Sequence, residues 1–282
     1  MKKLTDSYEL LNGVKIPCVG FGTWQAENGE IAYNAVTAAL KAGYRHIDTA
    51  AIYRNEESVG QAIKDSGVKR EDIFVTTKLW NKCRSYELCY SAFERSLNKL
   101  GLDYVDLYLI HWPASPAEYE DFNEINLDAW RAMSEIYKSG KIKAIGVSNF
   151  LPHHLEALMA CEIKPMVNQI EFHPGYMQLE TVEYCKRNGI IVEAWSPLGS
   201  GRVLSDERLK KIGEKYGKSV ADVCIRWCLQ HGVLPLPKSV TEARIIENTK
   251  VFDFELSAED MQAIDDFEEI GFSGFHPDKP GS

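Results

Sequence analysis

Nowhere in the 282 residues does an apolar run reach the roughly 20 positions needed to cross a bilayer. The opening Met1-Lys-Lys-Leu-Thr-Asp also lacks the apolar core of a secretion signal, so neither export nor a membrane partner is expected. Positive charge is in deficit: 32 Lys and Arg face 41 Asp and Glu, a formal net charge of -9. That balance argues against a nucleic-acid partner, which calls for a basic surface, while leaving room for a local basic pocket that holds one small anion. The seven cysteines (Cys18, Cys83, Cys89, Cys161, Cys185, Cys224 and Cys228) form no framework. Cys224 and Cys228 share a helix face, but no second pair completes a zinc site. They read as buried free thiols suited to a reducing compartment, and the protein is expected in the cytoplasm. Linkers and low-complexity stretches are also missing, so residues 1–282 read as one domain.

What is present is an alternation. Eight short apolar runs, Cys18–Phe21, Tyr44–Asp48, Ile73–Lys78, Val105–His111, Ala144–Val147, Met166–Gln169, Ile190–Ala194 and Val233–Leu236, have the look of strands buried on both faces of a parallel sheet. Amphipathic stretches lie between them: Glu30–Ala42, Ser85–Leu100, Leu127–Ser139 and Ser219–Gln230. The first three end at Gly43, Gly101 and Gly140, as glycine's preference just past a helix end leads one to expect. Eight strand–helix units in a chain of this length predict a (β/α)8 barrel of the triosephosphate isomerase type. Ahead of the first unit, "YELLNGVKIP" sets Asn12-Gly13 between apolar flanks, predicting a β-hairpin that plugs the barrel's N-terminal end. Asp206–Tyr216 and Ser257–Glu268 add two helices beyond the minimal barrel.

In such a barrel the chemistry sits where strands end. "HIDTAAIYRNE" closes the second strand with Asp48 and sets Tyr53 in the loop beyond; "FVTTK" ends with Lys78 and "LYLIH" with His111. Each residue alone has an ordinary role: Asp48 as a cap, Tyr53 as packing, Lys78 as a solvated charge, His111 as a core histidine. Four polar groups at neighbouring strand ends must instead satisfy one another. An ammonium beside a phenol favours phenolate and is expected to bring the phenol below its usual value of about 10. Asp48 would hold the lysine, and neutral His111 would direct a carbonyl oxygen, so that Tyr53 protonates that oxygen as hydride reaches its carbon.

No side chain donates hydride, which implies a nicotinamide cofactor. The dinucleotide fingerprint is absent, because after Gly20 and Gly22 of "GFGTW" come Gln25 and Ala26 rather than a third glycine. Other strand ends offer substitutes: Ser148 and Asn149 of "GVSNF" with Gln169 of "VNQ" for a carboxamide, and Trp195 of "EAWSPL" as a stacking surface. Lys238, Ser239 and Arg244 of "PKSVTEAR" form a basic cluster for a phosphate.

Taken in order, "RHIDTAAIYRNE", "TTKLW", "GLDYVDLYLIHWP", "GVSNF", "NQIEFHP", "EAWSPLGSG" and "PKSVTEARIIENTKVFDFELSAED" resemble the aldo-keto reductases, in particular compact bacterial-type members related to diketogluconate reductases. The resemblance runs from the hairpin nearly to the C-terminus. It implies a (β/α)8 barrel that binds NADPH across its C-terminal face and a tetrad of Asp48, Tyr53, Lys78 and His111. For NADPH/NADP+ it implies contacts from Gly22, Thr23, Asp48, Ser148, Asn149, Gln169, Trp195, Ser196, Leu198 and Ser200. Lys238, Ser239 and Arg244 would meet the 2′-phosphate, with Val240 a further cofactor contact and Asn248 near the adenine. Trp195 replaces the family's more usual tyrosine. Trp24, Trp80, His111 and Trp112 would line the substrate pocket. The loops after His111 and near the C-terminus are short, which favours small aldehydes, dicarbonyls and keto sugars. A monomer or weak dimer is expected, and no metal.

Two rivals remain at this point. A non-catalytic NADPH-binding partner protein would have no use for an intact tetrad. A metal-dependent barrel hydrolase would need several His and Asp ligands at strand ends, where the chain offers only His111 and Asp48 with a lysine between them.

Overall fold

The structure, a computed structural model, describes residues 1–279; residues 280–282, the end of the expected domain, lie outside the described residues. Strands β1 (Ser7–Glu9) and β2 (Lys15–Pro17) pair antiparallel through a turn in which Gly13 adopts a φ of 82°. Leu10 and Ile16 of this hairpin are buried in one cluster with Leu107, Leu109, Ala144, Val167 and Leu234, residues of the barrel interior. The expected plug is therefore in place.

Beyond the hairpin, strands and helices alternate: β3 (Phe21–Gly22), α1 (Glu30–Lys41), β4 (His46–Asp48), α2 (Glu56–Asp65), β5 (Phe74–Leu79), α3 (Tyr86–Leu100), β6 (Val105–Ile110), α4 (Phe122–Lys138), β7 (Ile142–Ser148), α5 (Pro152–Met159), β8 (Val167–Glu171), α6 (Leu179–Arg187) and β9 (Ile191–Trp195). After β9 come α7 (Glu207–Tyr216), α8 (Val220–Gln230), β10 (Leu234–Pro235), α9 (Glu242–Glu247) and α10 (Ala258–Asp265). Strands β3 to β10 pair in parallel, each with its neighbour in sequence. The seam between β10 and β3 is closed by Gly20 N–H donating to Pro235 O (3.0 Å) and Gly22 N–H to Pro237 O (3.1 Å). The barrel and the additional helices α7 and α10 match the sequence reading.

Some boundaries differ for physical reasons. The expected strand Val233–Leu236 shrinks to two residues and Cys18–Phe21 moves to Phe21–Gly22. Pro235 and Pro237 have no N–H to give, so the ladder at the seam cannot lengthen. Helix α4 starts at Phe122 rather than Leu127. The short helices α2, α5 and α6 escaped periodicity, having only eight to ten residues each. Gly43, Gly101 and Gly140 do stop their helices, with φ of 100°, 62° and 84°.

The main core lies between sheet and helices. Trp130 and Trp227 are buried there and still bond their indole N–H groups, to Ile163 O (2.8 Å) and Asp265 Oδ1 (2.7 Å). Among the described residues, no helix is long and apolar enough to cross a membrane.

Candidate active site

A cleft of about 1060 Å³ opens where the barrel strands end. Asp48 at the end of β4 and Lys78 near the end of β5 come from adjacent parallel strands, and neither side chain meets solvent appreciably. Lys78 Nζ donates to Asp48 Oδ1 (2.6 Å), to Thr49 O (3.0 Å) and, at longer range, to Tyr53 Oη (3.4 Å). A short 3₁₀ turn over Ala51–Tyr53 brings the phenol back over the barrel mouth. The four expected catalytic side chains thus converge, with the His111 ring edge-on to Tyr53 at 5.6 Å.

The electrostatics correct one expectation. Burial pushes the Tyr53 phenol above its ordinary value; Lys78 pulls it down and Asp48 pushes it up, and burial outweighs the lysine. Tyr53 is accordingly a protonated donor at neutral pH, not a phenol already tipped toward phenolate. Burial opposes the charge on Lys78, yet Asp48 and Tyr53 together hold its proton more tightly than in water. His111 is driven well below the usual imidazole range by burial and by the Lys78 charge. Its ring is neutral at physiological pH, with Nδ1 finding no hydrogen-bond partner among the described residues.

The remaining strand ends form the cleft wall. Asn149 donates through Nδ2 to His111 O (3.0 Å) and Ser148 Oγ (3.0 Å) and accepts the Trp195 indole N–H at Oδ1 (2.7 Å). Ser148 Oγ donates to Gln169 O (2.8 Å), and Gln169 Nε2 donates to Asp48 Oδ2 (2.9 Å). The supposed carboxamide holders are therefore first of all each other's partners, and the indole that stands in for a phenol supplies a bond of its own. Asn149, Ser196, Ser200 and Gln25 carry left-handed φ values of 64°, 49°, 53° and 60°, and all four line the cleft. Strain of this kind survives only where surrounding contacts over-determine it, which is common at binding surfaces.

Gly22, Trp24, Trp80, Trp112, Trp195, Ser196, Leu198, Ser200, Lys238, Ser239, Val240, Arg244 and Asn248 also border the cleft. Thr23 does not. It is buried behind the wall with its hydroxyl donated to Asp48 O (2.9 Å), so it braces the strand end instead of facing a ligand. Lys78 likewise lies below the cleft surface and reaches it only by its contact with Tyr53 Oη. Sequence reasoning missed Ile52 and Phe275, which border the cleft, and Glu193, which lies beneath it. Phe275 had no signal beyond an aromatic in a glycine-rich tail. Glu193 had one, a lone acid inside the apolar run "IIVEAW".

The cleft fits an extended dinucleotide. One end offers a protonated phenol, a neutral imidazole and the flat face of Trp195; the other offers Lys238 and Arg244. Away from it, His153, His154 and Asp278 draw together, but His154 Nδ1 accepts Leu151 N–H (3.1 Å). Neutral His154 then carries its proton on Nε2, 3.0 Å from Asp278, so that nitrogen has no free lone pair for a metal ion.

A barrel whose strand ends join a buried Lys–Asp pair to a phenol and an imidazole defines an oxidoreductase scaffold. Residues 18–269 match the Aldo/keto reductase family model, and the chain belongs to that family. It is 55% identical to a glyoxal reductase of Bacillus subtilis over 98% of both chains. Among solved structures it superposes with a TM-score of 0.91 on an aldo-keto reductase from a deep-sea metagenome library, at 47% identity over 97% of this chain and 99% of that one. A Bombyx mori aldo-keto reductase in complex with NADP gives a TM-score of 0.87 at 39% identity, covering 94% and 93%.

Proposed function

We propose that the protein reduces small uncharged aldehydes, dicarbonyls and keto sugars to alcohols with NADPH, Tyr53 giving the proton. The observation that carries this reading is the buried contact of Lys78 with Asp48 and Tyr53 at one end of a cleft whose other end holds Lys238 and Arg244. Bound at Trp195, Gln169 and the basic end, NADPH would supply hydride. The protein's own part is orientation and proton transfer. His111 donates to the carbonyl oxygen as a neutral ring, and Tyr53 delivers a proton to that oxygen. Lys78, already charged, stabilises the phenolate left behind, and Asp48 keeps the ammonium aimed. At the substrate end stand Trp24, Ile52, Trp80, Trp112 and Phe275, with no charged group among them. Such a wall favours neutral substrates, and the likeness to a glyoxal reductase supports dicarbonyls.

The one-domain reading is retained. So is the cytoplasm: Cys18, Cys89, Cys185, Cys224 and Cys228 are buried, and all seven cysteines are free. We take the working unit to be a monomer or weak dimer.

The test is NADPH oxidation with a panel of glyoxals, aldehydes and keto sugars, comparing wild type with Tyr53→Phe. The variant should bind NADPH normally and lose roughly 10²–10⁴ in turnover, the usual worth of a positioned general acid. Near wild-type rates would remove Tyr53 from the reaction.

A further inference from the structure

Beneath the proton-delivery group lies a second acid that the reaction described above does not use. Glu193 on β9 is completely buried, opposite Gln169 of β8 and Leu234 of β10 in register. Gln169 Nε2 donates one hydrogen bond to Glu193 Oε2 (2.8 Å) and one to Asp48 Oδ2 (2.9 Å). Asp48 Oδ1 accepts from Lys78, and Lys78 reaches Tyr53. An unbroken chain of contacts therefore runs from Glu193 through Gln169, Asp48 and Lys78 to the phenol.

We propose that Glu193 is a positioning residue for proton delivery: it fixes the Gln169 amide and, through that amide and Asp48, sets the charge balance that Lys78 presents to Tyr53. The proposal rests on Tyr53 being the proton donor.

Orientation follows from the inventory of donors. An amide nitrogen has two hydrogens, and here both meet carboxyl oxygens. With Glu193 carrying its proton on Oε1, Oε2 is still an acceptor, so flipping the Gln169 amide would put its oxygen against two acceptor oxygens, and the carbonyl oxygen is held away from both. Without Glu193 one of the two contacts that decide this orientation is lost.

Charge follows from the count of ions. One ammonium, Lys78, serves two carboxyl groups in a buried cluster, and burying a second uncompensated negative charge is costly. The titratable groups facing Glu193 are His46 and Asp48 on β4 and Lys78 on β5; β8 presents the neutral Gln169 and β10 presents Leu234. His46 Nε2 is 3.8 Å from Glu193 Oε1 and 3.0 Å from Thr76 Oγ1. Burial, helped by Lys78, brings His46 down to about 3, so it is neutral and forms no ion pair. Gly20 makes room for this ring, since a Cβ there would come within 2.6 Å of His46 Nδ1. Among the described residues Glu193 Oε1 has no hydrogen-bond partner, which suits a neutral acid better than a carboxylate. Burial, reinforced by Asp48, pushes Glu193 up to about 8. Near neutral pH the cluster is balanced, with Lys78 against Asp48. At higher pH Glu193 ionises, and the added negative charge makes Lys78 and Tyr53 hold their protons to higher pH.

The experiment is the pH dependence of kcat for aldehyde reduction, from about pH 6 to 10, in wild type, Glu193→Gln, Glu193→Met and Glu193→Asp. Both uncharged variants should lose the late negative charge, so their alkaline limb should move to lower pH by at least about half a unit. Glu193→Asp should return the limb toward its wild-type position. Thermal unfolding gives a second reading. The folded-state value lies above the unfolded 4.5, so the acid's contribution to stability is present at low pH and lost as pH rises through about 8. Wild type should therefore lose stability relative to Glu193→Gln between pH 6 and 9. Alkaline limbs that coincide with wild type, or a uniform loss of rate with unchanged profile, would overturn the proposal. Tyr53→Phe run beside them separates the two readings. If that variant is inactive while the Glu193 profiles do not move, only the role of Glu193 fails; if it turns over normally, the donor assignment fails and takes this proposal with it.

Discussion

The two ends of the cleft are held by different means. At the catalytic end Lys78 and Asp48 are buried in contact, Asn149 is bonded at both ends of its amide, and Gln169 bridges two acids. At the basic end Arg244 is exposed and Lys238 is half-buried, its ammonium reaching, among the described residues, only a backbone oxygen, Gln25 O, at 3.2 Å. The first end is preorganised by the fold before any substrate arrives, and the second, on the function proposed above, would be completed by the anion it binds. Substitutions of buried groups at the first should damage stability and rate together, and substitutions at the second should damage affinity alone.

The harshest way to break that contrast is Lys78→Met. It leaves Asp48 buried without its 2.6 Å partner. Removing one member of a buried pair costs about 3–5 kcal/mol, because the remaining charge has no compensation. The thermal midpoint should fall by on the order of 10 °C, with turnover falling as Tyr53 loses the cation that stabilises its phenolate. An unchanged midpoint would mean that the pair is less integral to the fold than its burial implies. The opposite end gives a smaller and purely functional effect. Lys238→Ala with Arg244→Ala should weaken NADPH by roughly tenfold per cation, about 1.4 kcal/mol each, while NADH affinity and thermal midpoint stay close to wild type. A large loss of stability in that double variant would erase the distinction between the two ends.

The same contrast governs what could be read from the chain. Asp48, Tyr53, Lys78 and His111 were legible because strand ends are marked by where apolar runs stop, and the barrel rule says what stopping there means. Lys238 and Arg244 were legible as a local cluster. Three kinds of feature were not. Thr23 was placed on the ligand side, because sequence does not say which way the residue after a two-residue strand turns, and here its N–H and hydroxyl both turn to Asp48 O. The direction of the Tyr53 shift was misjudged because a neighbouring charge can be counted from sequence, whereas depth of burial cannot. Phe275 reaches the cleft from the far end of the chain, more than 160 residues past His111, and such a contact leaves no local pattern. The eighth strand was overestimated for a reason that was visible, since Pro235 and Pro237 stand in "LPLPKS".

Between the two ends stands Trp195, and it offers the mildest test. Its ring keeps the stacking face that the cofactor would need, while its N–H holds Asn149 Oδ1 at 2.7 Å. Asn149 in turn donates to His111 O, so the indole is linked to the His111 main chain through one amide. Trp195→Phe retains an aromatic face and removes that bond, which is worth about 1 kcal/mol. Because the side chain is only half-buried, water can take over at Asn149, and the thermal midpoint should barely change. The catalytic constant should nonetheless drop about threefold to tenfold, with the NADPH dissociation constant changing less than the rate. That split would place Trp195 with the preorganised end of the cleft. If affinity fell and rate did not, the indole would belong with Lys238 and Arg244, and its bond to Asn149 would be incidental to how His111 is held.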